Sequence, residues 1–285
     1  MLYELLSEYN KKGVVPMHMP GHKRNTAMLG DALPYGIDIT EIDGFDNLHD
    51  AHGVLKATAD IASRLYGSKR TFMLINGSTG GILAGVRAAV RYGDTVIMAR
   101  NCHKSVYNAV ELCGLVPVYL MPDLDEASGI CGSIRPEQVE KALDNHPEAA
   151  LVIITSPTYE GVVSDIKSIC DIAHRNKIPV LVDAAHGAHF GFSEAFPPSP
   201  VYCGADIAVM SLHKTLPALT QCALAHVSGC LIDENRLASE LAVFQTSSPS
   251  YVLLSSIDRC LRLLDSGKEA LFSEYEKNLE AFNKS

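Results

Sequence analysis

Short apolar runs, rich in β-branched side chains, recur from residue 54 onward and alternate with stretches of helical periodicity. Each run predicts a strand, and the runs are Thr71–Ile75, Thr95–Ala99, Val116–Met121, Leu151–Thr155, Val180–Asp183, Ile207–Ser211 and Cys222–Val227. The helices predicted between the first six runs cover residues 79–91, 103–113, 135–145 and 164–176, with an irregular link after residue 186. Apolar strands that alternate with helices are typical of a parallel sheet buried on both faces. The pattern therefore predicts an α/β fold with a mostly parallel seven-stranded sheet and helices on both faces.

Local signals support several of these boundaries. Ser164 and Asp165 stand where an N-cap is expected, and Pro136 falls in the first turn of another predicted helix. The seventh run follows the sixth with no helix between them, so we expect it to be antiparallel or an edge strand. The helical patterns after it cover Glu234–Val243, Tyr251–Leu264 and residues 268–283.

The two ends of the chain differ from its centre. Apolar side chains at helical spacing predict a short amphipathic helix over residues 2–12. The stretch that follows is rich in Gly, Pro, His and Asp, and an irregular segment of that length is expected to wrap a surface or a site. We therefore divide the chain into an N-terminal helix and arm (1–53), a large domain (54–245) and a helical connector (246–285).

Composition is that of an ordinary globular protein, because 47% of the 285 residues are apolar and 20% are charged. No apolar run approaches the roughly 18 residues that span a bilayer, and the early acidic residues do not fit a signal peptide. The formal net charge of −9 argues against nucleic acid or an anionic membrane as the main partner. The 8 cysteines include no CxxC pair and most have apolar neighbours, which favours reduced thiols in a cytoplasmic protein over disulfides or a zinc site.

Polar residues gather where the predicted strands end, at the edge where open α/β sheets bind ligands. Residues 76–81 follow the first strand, and their glycines, hydroxyls and helix start form the outline of a phosphate cradle. The P-loop spacing is absent, and a plain strand-to-helix turn would also explain the segment. His103 follows the second strand, where it is suited either to stack on an aromatic ligand or to cap the helix. Residues 155–161 place hydroxyls after the fourth strand, although a turn alone would account for them.

The fifth and sixth strands end in an acid and a lysine. Asp183 ends a wholly apolar strand, and a buried carboxylate is costly unless a cation pairs with it. Lys214 follows the next strand and is either solvated or held there for chemistry. His186 and His189 are also possible metal ligands beside Asp183, but no further ligand at a matching spacing makes a metal site compelling.

One ligand would use all of these features, and that ligand is pyridoxal 5′-phosphate. Its phosphate suits a glycine-rich helix start, and its ring suits a flat partner such as His103. Its pyridine nitrogen suits a carboxylate such as Asp183, and its aldehyde suits a lysine such as Lys214. This convergence favours the chemical role of Lys214 over the solvated one.

The sequence resembles the major domain of the Orn/Lys/Arg decarboxylase family, whose members are fold type I pyridoxal-phosphate enzymes. The matching stretches, in order, are MHMPGHKRN (17–25), DITEIDGFDNLH (38–49), NGSTGG (76–81), RNCHKS (100–105), TSPTYEG (155–161), VDAAHGAHF (182–190), SLHKTLPALTQ (211–221) and TSSPSY (246–251). The resemblance implies a fold type I, transferase-like large domain that binds pyridoxal phosphate at residues 54–245.

The resemblance also implies roles for individual residues. Lys214 is similar to the lysine that holds the cofactor covalently, Asp183 to the partner of the pyridine nitrogen, and His103 to the histidine that stacks on the ring. The other cofactor-binding positions that it implies are Ser78, Thr79, Gly80, Ser156, His186, Ser211, His213, Thr246 and Ser247. Among these, His213 is also a candidate catalytic residue. Segment 246–251 is expected to reach the cofactor phosphate of the neighbouring subunit in a homodimer or a higher even-numbered oligomer.

The reaction implied by the resemblance is removal of the α-carboxylate of arginine, lysine or ornithine, which gives CO2 and an amine for polyamine biosynthesis. Lys214 or His213 would return a proton to the α-carbon. The alternatives are another fold type I reaction, such as that of an aldolase or aminotransferase, or a cofactor-binding fragment without turnover.

The sequence departs from the family pattern in two places. The family often has an acid at the position of Ala184, and its members continue into a smaller C-terminal domain that helps to shape the substrate site. We expect residues 246–285 to connect toward such a domain. Glu41, Asp43 and Asp46 in the arm are either ligands for the distal cation of a basic substrate or solvated loop charges.

Overall fold

The computed structural model describes residues 1–284 and contains a seven-stranded sheet. Its strands are β1 (Arg70–Leu74), β2 (Thr95–Ala99), β3 (Val116–Leu120), β4 (Leu151–Thr155), β5 (Val180–Asp183), β6 (Ile207–Ser211) and β7 (Ala223–Val227). They lie in the order β1-β7-β6-β5-β4-β2-β3, and neighbours are parallel except where β7 pairs with β1 and β6. The predicted sheet is confirmed, and each predicted strand boundary lies within one residue of the observed one.

The helices flank the strands along the chain. They are α1 (Leu2–Lys11), α2 (Thr26–Leu29), α3 (Val54–Tyr66), α4 (Gly77–Ala89), α5 (Lys104–Leu112), α6 (Pro136–Asn145), α7 (Ile166–Arg175), α8 (Leu212–Thr215), α9 (Glu234–Phe244) and α10 (Tyr251–Asn283), with a short 3-10 helix at Tyr35–Ile37. Every residue of β5, β6 and β7 is buried, so both faces of the sheet are covered as predicted. Within residues 1–284, the helices are too short or too polar to cross a membrane.

The structure differs from the sequence prediction in several helices. The sequence analysis missed α3 entirely, and it missed the one-turn helices α2 and α8. The two helical patterns predicted after residue 250 form the single helix α10, which non-helical dihedral angles interrupt at Gly267. The interruption falls between the two predicted helices, because glycine is a weak helix former.

Strand β7 is antiparallel, as predicted, but it is not an edge strand. It lies between β1 and β6, with Ala223 opposite Leu74 on one side and Ser211 on the other. This register brings the carboxyl ends of β1 and β6 to one edge of the sheet. The parallel strands β2, β3, β4 and β5 end at the same edge, so the five loops after β1, β2, β4, β5 and β6 meet there beside the loop after β3.

Two glycines let α4 lie close against the sheet. A Cβ atom on Gly81 would lie 2.5 Å from Leu74 Cδ1, and one on Gly85 would lie 2.9 Å from Leu181 Cδ1. Larger residues at either position would push the helix away from the strands. The close packing therefore fixes the N-terminus of α4 at the sheet edge where β1 ends.

A buried carboxylate joins the first and last helices. Asp258 on α10 is fully buried and accepts hydrogen bonds from Leu2 N at 3.0 Å, Thr58 Oγ1 at 2.7 Å and Arg262 Nε at 2.8 Å. These partners offset the cost of burying the charge, which would be large for an unpaired carboxylate. They also hold α1 and α3 against α10.

Another carboxylate organises the end of the N-terminal arm. Asp46 accepts the backbone N–H groups of Gly53 at 2.7 Å and Leu55 at 3.0 Å, and it thereby caps α3 from outside the helix. Burial alone would raise the pKa of Asp46, but backbone N–H donors, first among them those of His52 and Gly53, lower it overall. The carboxylate of Asp46 therefore holds the end of the arm against the start of α3.

Candidate active site

The five loops that meet at the carboxyl edge of the sheet carry most of the predicted site residues. In the parallel pairs, Thr155 at the end of β4 lies opposite Asp183, and Asp183 lies opposite Val209 near the end of β6. The predicted residues placed along this edge are Ser78, Thr79, Gly80, His103, Ser156, Asp183, His186, Ser211, His213 and Lys214. The strand order alone therefore assembles a site from segments that are far apart in the sequence.

The N-terminus of α4 is the part of this edge that is suited to an anion. Ser78 and Thr79 lie in its first turn, where backbone N–H groups have no partners within the helix, and Gly80 follows them. Gly77 adopts a left-handed φ of 69°, and its N–H donates to the carbonyl of Gln221 at 2.9 Å. The free N–H groups and the helix dipole together favour a phosphate at this position.

Ser211 provides a second indication of a bound polar group. It is fully buried at the end of β6, and its hydroxyl has no hydrogen-bond partner in the part of the chain that the structure describes. Buried hydroxyl groups are nearly always paired in folded proteins. Through Ala223, Ser211 is level with Leu74, after which the chain turns into α4. The unpaired hydroxyl and the start of α4 thus lie at the same edge of the sheet, with β7 between their strands.

Asp183 is a buried acid without a cationic contact. Its side chain is 3% exposed, Oδ1 accepts Ala185 N at 3.2 Å, and it forms no ion pair within residues 1–284. Burial raises its pKa, and the Ala185 N–H and, after it, His103 and Lys214 offset this only in part. The cation that the sequence analysis expected beside Asp183 is therefore not supplied by direct contact with a side chain.

Lys214 lies on the one-turn helix α8, not on the strand before it. Its Nζ lies 2.9 Å from Nε2 of His186, and the lysine side chain is otherwise exposed. Burial lowers the pKa of His186, and the positive charge of Lys214 lowers it further, so the imidazole is neutral and accepts from the ammonium group. The contact holds the amine at the mouth of the site.

Two further histidines have defined partners at this edge. His213 Nδ1 lies 3.0 Å from the carbonyl of Cys222. Cys222 directly follows Gln221, whose carbonyl accepts the N–H of Gly77 at the start of α4. His103 is the N-cap of α5, where Nδ1 accepts Ser105 N at 3.2 Å. The capping role that the sequence left open is therefore realised. The ring is also close enough to influence Asp183, so a ring-facing role is compatible with the same position.

Three predicted cofactor contacts lie in other surroundings. The hydroxyl of Ser156 accepts Ser164 N at 3.1 Å, so it already braces its own loop. Thr246 and Ser247 are exposed, and the carbonyl of Thr246 lies 2.9 Å from Nε2 of His49 in the arm of the same chain. Their proposed contact with a neighbouring subunit stays a prediction.

His189 points into an aromatic cluster of its own. Its ring centroid lies 4.9 Å from those of both Phe190 and Phe196, and burial lowers its pKa. Within residues 1–284, no group of three or more His, Cys, Asp or Glu side chains is placed to hold a metal ion. The structure therefore separates His189 from the residues around Lys214.

The sequence analysis missed two residues beside the site. The Tyr159 ring meets His186 edge-on, with centroids 5.5 Å apart. Cys102 is buried near Asp183, and burial, with a smaller contribution from that carboxylate, raises the pKa of the thiol to about 12. The available signal was position alone, because Cys102 directly precedes His103 and Tyr159 lies in a loop already singled out.

Comparison with known proteins identifies the family. The family described as Orn/Lys/Arg decarboxylase, major domain, matches residues 1–284. The chain belongs to the Orn/Lys/Arg decarboxylase family. It is 43% identical over 263 residues to the uncharacterised protein YaaO of Bacillus subtilis and 37% identical over 263 residues to an arginine decarboxylase of that organism. These alignments cover 90% of this chain but 55% and 54% of the relatives, so the chain spans about half the length of the curated relatives it matches.

A solved structure shows the same fold. The constitutive lysine decarboxylase of Escherichia coli superimposes with a TM-score of 0.80 at 23% identity, over 98% of this chain and 43% of that chain. The fold type I architecture expected from the sequence is thereby confirmed. Members of the Orn/Lys/Arg decarboxylase family use pyridoxal 5′-phosphate, so this is the cofactor that the residues of the site should fit.

The residues of this edge fit pyridoxal phosphate. The unpaired hydroxyl of Ser211 and the start of α4 suit the phosphate. The buried carboxylate of Asp183 has no cation in direct contact, and a protonated pyridine nitrogen would supply one. The amine of Lys214 lies at the same edge and suits the aldehyde.

Proposed function

We propose that this chain is the cofactor-binding part of a decarboxylase that removes the α-carboxylate of a basic amino acid, namely arginine, lysine or ornithine. The observation that carries the proposal is the buried, unpaired carboxylate of Asp183 on the strand next to the one that leads to Lys214. The 37% identity to an arginine decarboxylase supports the class of reaction and substrate.

Each residue has a definite task in holding pyridoxal phosphate. Lys214 would bind the aldehyde carbon covalently, Asp183 would pair with the pyridine nitrogen, and His103 would lie against the ring. The first turn of α4 and the hydroxyl of Ser211 would bind the phosphate. When bound, the cofactor supplies a protonated aromatic ring that accepts the electron pair released as CO2 leaves. Burial of Asp183 keeps water away from the charge pair that maintains this protonation.

Of the two candidates for returning a proton to the α-carbon, we favour Lys214. His213 Nδ1 faces the carbonyl of Cys222, which can only accept, so the proton on that nitrogen is already engaged. Lys214 Nζ carries exchangeable protons and lies against a neutral acceptor, Nε2 of His186. His186 would therefore orient the amine between successive proton transfers.

We also propose that the active site is shared between two copies of the chain. The arm exposes large apolar side chains, among them Met17 at 88%, Met28 at 80% and Val15 at 74%. An apolar surface of this kind is usual at an interface and unusual in contact with water. The exposed hydroxyl groups of Thr246 and Ser247 would then reach the cofactor phosphate of the partner chain.

The test is a product assay with arginine, lysine and ornithine. We expect CO2 and the matching amine from a version of the chain extended by the C-terminal region of a family member, and a comparison with the 285-residue chain shows whether that region is required. The matched control is Lys214→Ala, which should release neither product. Aldehyde or keto-acid products would favour an aldolase or aminotransferase, and a cofactor-loaded extended chain that releases no CO2 would contradict the proposal.

A further inference from the structure

The ring of His103 is bound to the helix that it opens. Its Nδ1 accepts the backbone N–H of Ser105 at 3.2 Å, and the hydroxyl of the same serine lies 2.9 Å from that nitrogen. Ser105 is 1% exposed and lies in the first turn of α5, so both of its groups are fixed in place. The orientation of the ring is therefore set by the start of the helix.

This contact decides where His103 carries its proton. A backbone N–H can only donate, so Nδ1 must present its lone pair, and the proton of the neutral ring is assigned to Nε2. A proton on Nδ1 would set two N–H groups against each other and leave a buried donor unpaired. The hydroxyl of Ser105 can donate or accept, so it is compatible with this assignment.

The contacts of the other two histidines at this edge, His213 and His186, differ from that of His103. His213 Nδ1 faces the carbonyl of Cys222, which can only accept, so its Nδ1 carries a proton. His186 Nε2 accepts from the ammonium group of Lys214. Among these three rings, His103 alone has its Nδ1 held as an acceptor by a backbone N–H.

The free side of the His103 ring belongs to the site. Because Nδ1 is tied to α5, Nε2 on the far side of the ring points away from the first turn of that helix. His103 follows β2, which only β4 separates from β5, so His103 lies at the same edge of the sheet as Asp183 and His186.

We propose that Ser105 is a positioning residue, whose backbone N–H holds His103 as the neutral Nε2–H tautomer and presets the plane of its ring. The tautomer follows from the contacts alone, whereas its use against the pyridine ring rests on the proposed function. A neutral ring suits that place, because an imidazolium would repel the pyridine nitrogen that Asp183 must keep protonated. A preset ring also loses less freedom when the cofactor binds.

The test is ¹⁵N NMR of the histidine side chains in the full chain without cofactor. In the unmodified chain, we expect the His103 signals of an unprotonated Nδ1 and a protonated Nε2. Ser105→Pro removes the donor in the first turn of α5, where proline is tolerated, and should abolish this tautomer preference. It should also weaken pyridoxal-phosphate binding about two- to tenfold, as expected when one side chain must be ordered on binding. Ser105→Ala keeps the N–H and should keep the tautomer.

Several results would overturn the proposal or support it. A wild-type His103 that averages its tautomers, or a folded Ser105→Pro chain with unchanged signals, would overturn it, as would a tautomer change in Ser105→Ala. If Ser105→Pro does not fold, the wild-type and Ser105→Ala spectra decide alone. His103→Asn can still cap α5, so it should keep the amide-exchange protection of that helix while losing cofactor affinity. None of these measurements uses turnover, so failure of the decarboxylase assay would leave them unaffected.

Discussion

The amine of Lys214 lies 2.9 Å from Nε2 of His186, a residue on the loop after the neighbouring strand. Because burial and the charge of Lys214 lower the pKa of His186, the imidazole is a neutral acceptor that orients the amine without competing for its charge. The Tyr159 ring braces the same imidazole from the adjacent loop. The amine is thus held at the sheet edge that also carries Asp183 and the start of α4.

We expect Lys214 to be the residue that binds pyridoxal phosphate covalently. Borohydride reduction of the loaded chain should attach the cofactor to the peptide that contains Lys214, as read by mass spectrometry. Lys214→Ala should abolish the label, because Lys214 supplies the amine at the sheet edge that carries Asp183. The matched control is Lys104→Ala, which removes an exposed lysine of α5 and should leave the label in place. Label on a different lysine in the unmodified chain would refute the assignment.

Asp183→Asn is expected to separate cofactor binding from turnover. The variant keeps the phosphate contacts and Lys214, so it should still bind pyridoxal phosphate. Without the carboxylate the pyridine nitrogen loses the partner that keeps it protonated, and kcat in an active extended chain should fall about 10²- to 10³-fold. Asp144→Asn, at an exposed acid of α6, is the control and should change neither property. Near wild-type kcat in Asp183→Asn would exclude this role for the carboxylate.

The strands were predictable from the sequence because their signal is local, whereas α3 was missed because its start is not. Residues 54–66 carry apolar side chains at helical spacing, but Gly53 gives α3 no side-chain cap. The cap is the carboxylate of Asp46, which reaches the helix start from an irregular loop earlier in the chain. Helix starts are predicted from capping residues next to the helix, so a capping carboxylate this far away in the sequence is not recognised.

The candidate site was predictable to the same extent as the sheet. Parallel strands that end in Asp183 and Ser211 had to place both residues at one edge, and the strand order confirms this. The contact between Lys214 and His186 could not be predicted, because it depends on the paths of two loops and on the helical turn that carries the lysine. Partners of this kind are fixed by tertiary packing and have no spacing rule.

His226 is expected to make the protein less stable in acid. It is fully buried on β7, Nδ1 lies 2.8 Å from Thr71 Oγ1, and burial lowers its pKa from 6.5 to about 3. The folded protein therefore holds the neutral ring, while the unfolded chain takes up a proton once the pH falls below about 6.5. This stabilisation is present at neutral pH and is lost as the pH falls, by about 3 kcal/mol between about pH 7 and about pH 4.

Urea unfolding at a series of pH values measures this contribution. His226→Gln keeps a polar partner for Thr71 but does not titrate, so its free energy of unfolding should fall by about 3 kcal/mol less than that of the unmodified chain over the same range. His52→Gln is the control, because the His52 side chain is 81% exposed. Its substitution should leave the change of the free energy of unfolding with pH as it is in the unmodified chain. An equal pH dependence for His226→Gln and the unmodified chain would show that the ring takes up its proton as readily in the folded state as in the unfolded chain.

We expect the chain to form a dimer in solution. The apolar side chains of the arm that face water in one copy, such as Met17 and Met28, would be covered by the second. Two identical patches meet in a two-fold arrangement, which is the commonest symmetry of soluble oligomers. Sedimentation at micromolar concentration should show a species of twice the chain mass of 30.8 kDa. A monomer under these conditions would contradict the shared site, because Thr246 and Ser247 would then have no partner to reach.

Mixed dimers of an active extended chain test whether the two copies share each site. One copy would carry Lys214→Ala, and the other would carry Thr246→Ala with Ser247→Ala. If each site combines Lys214 of one copy with the 246–247 hydroxyl groups of the other, a mixed dimer places all the lesions in one site. Its second site is intact, so about half of the wild-type activity per mixed dimer should return. The control pairs Lys214→Ala with Asp183→Asn, which damage a site from the same chain, so no activity should return. Recovery in neither mixture, after subunit exchange has been demonstrated, would mean that each chain builds its site alone.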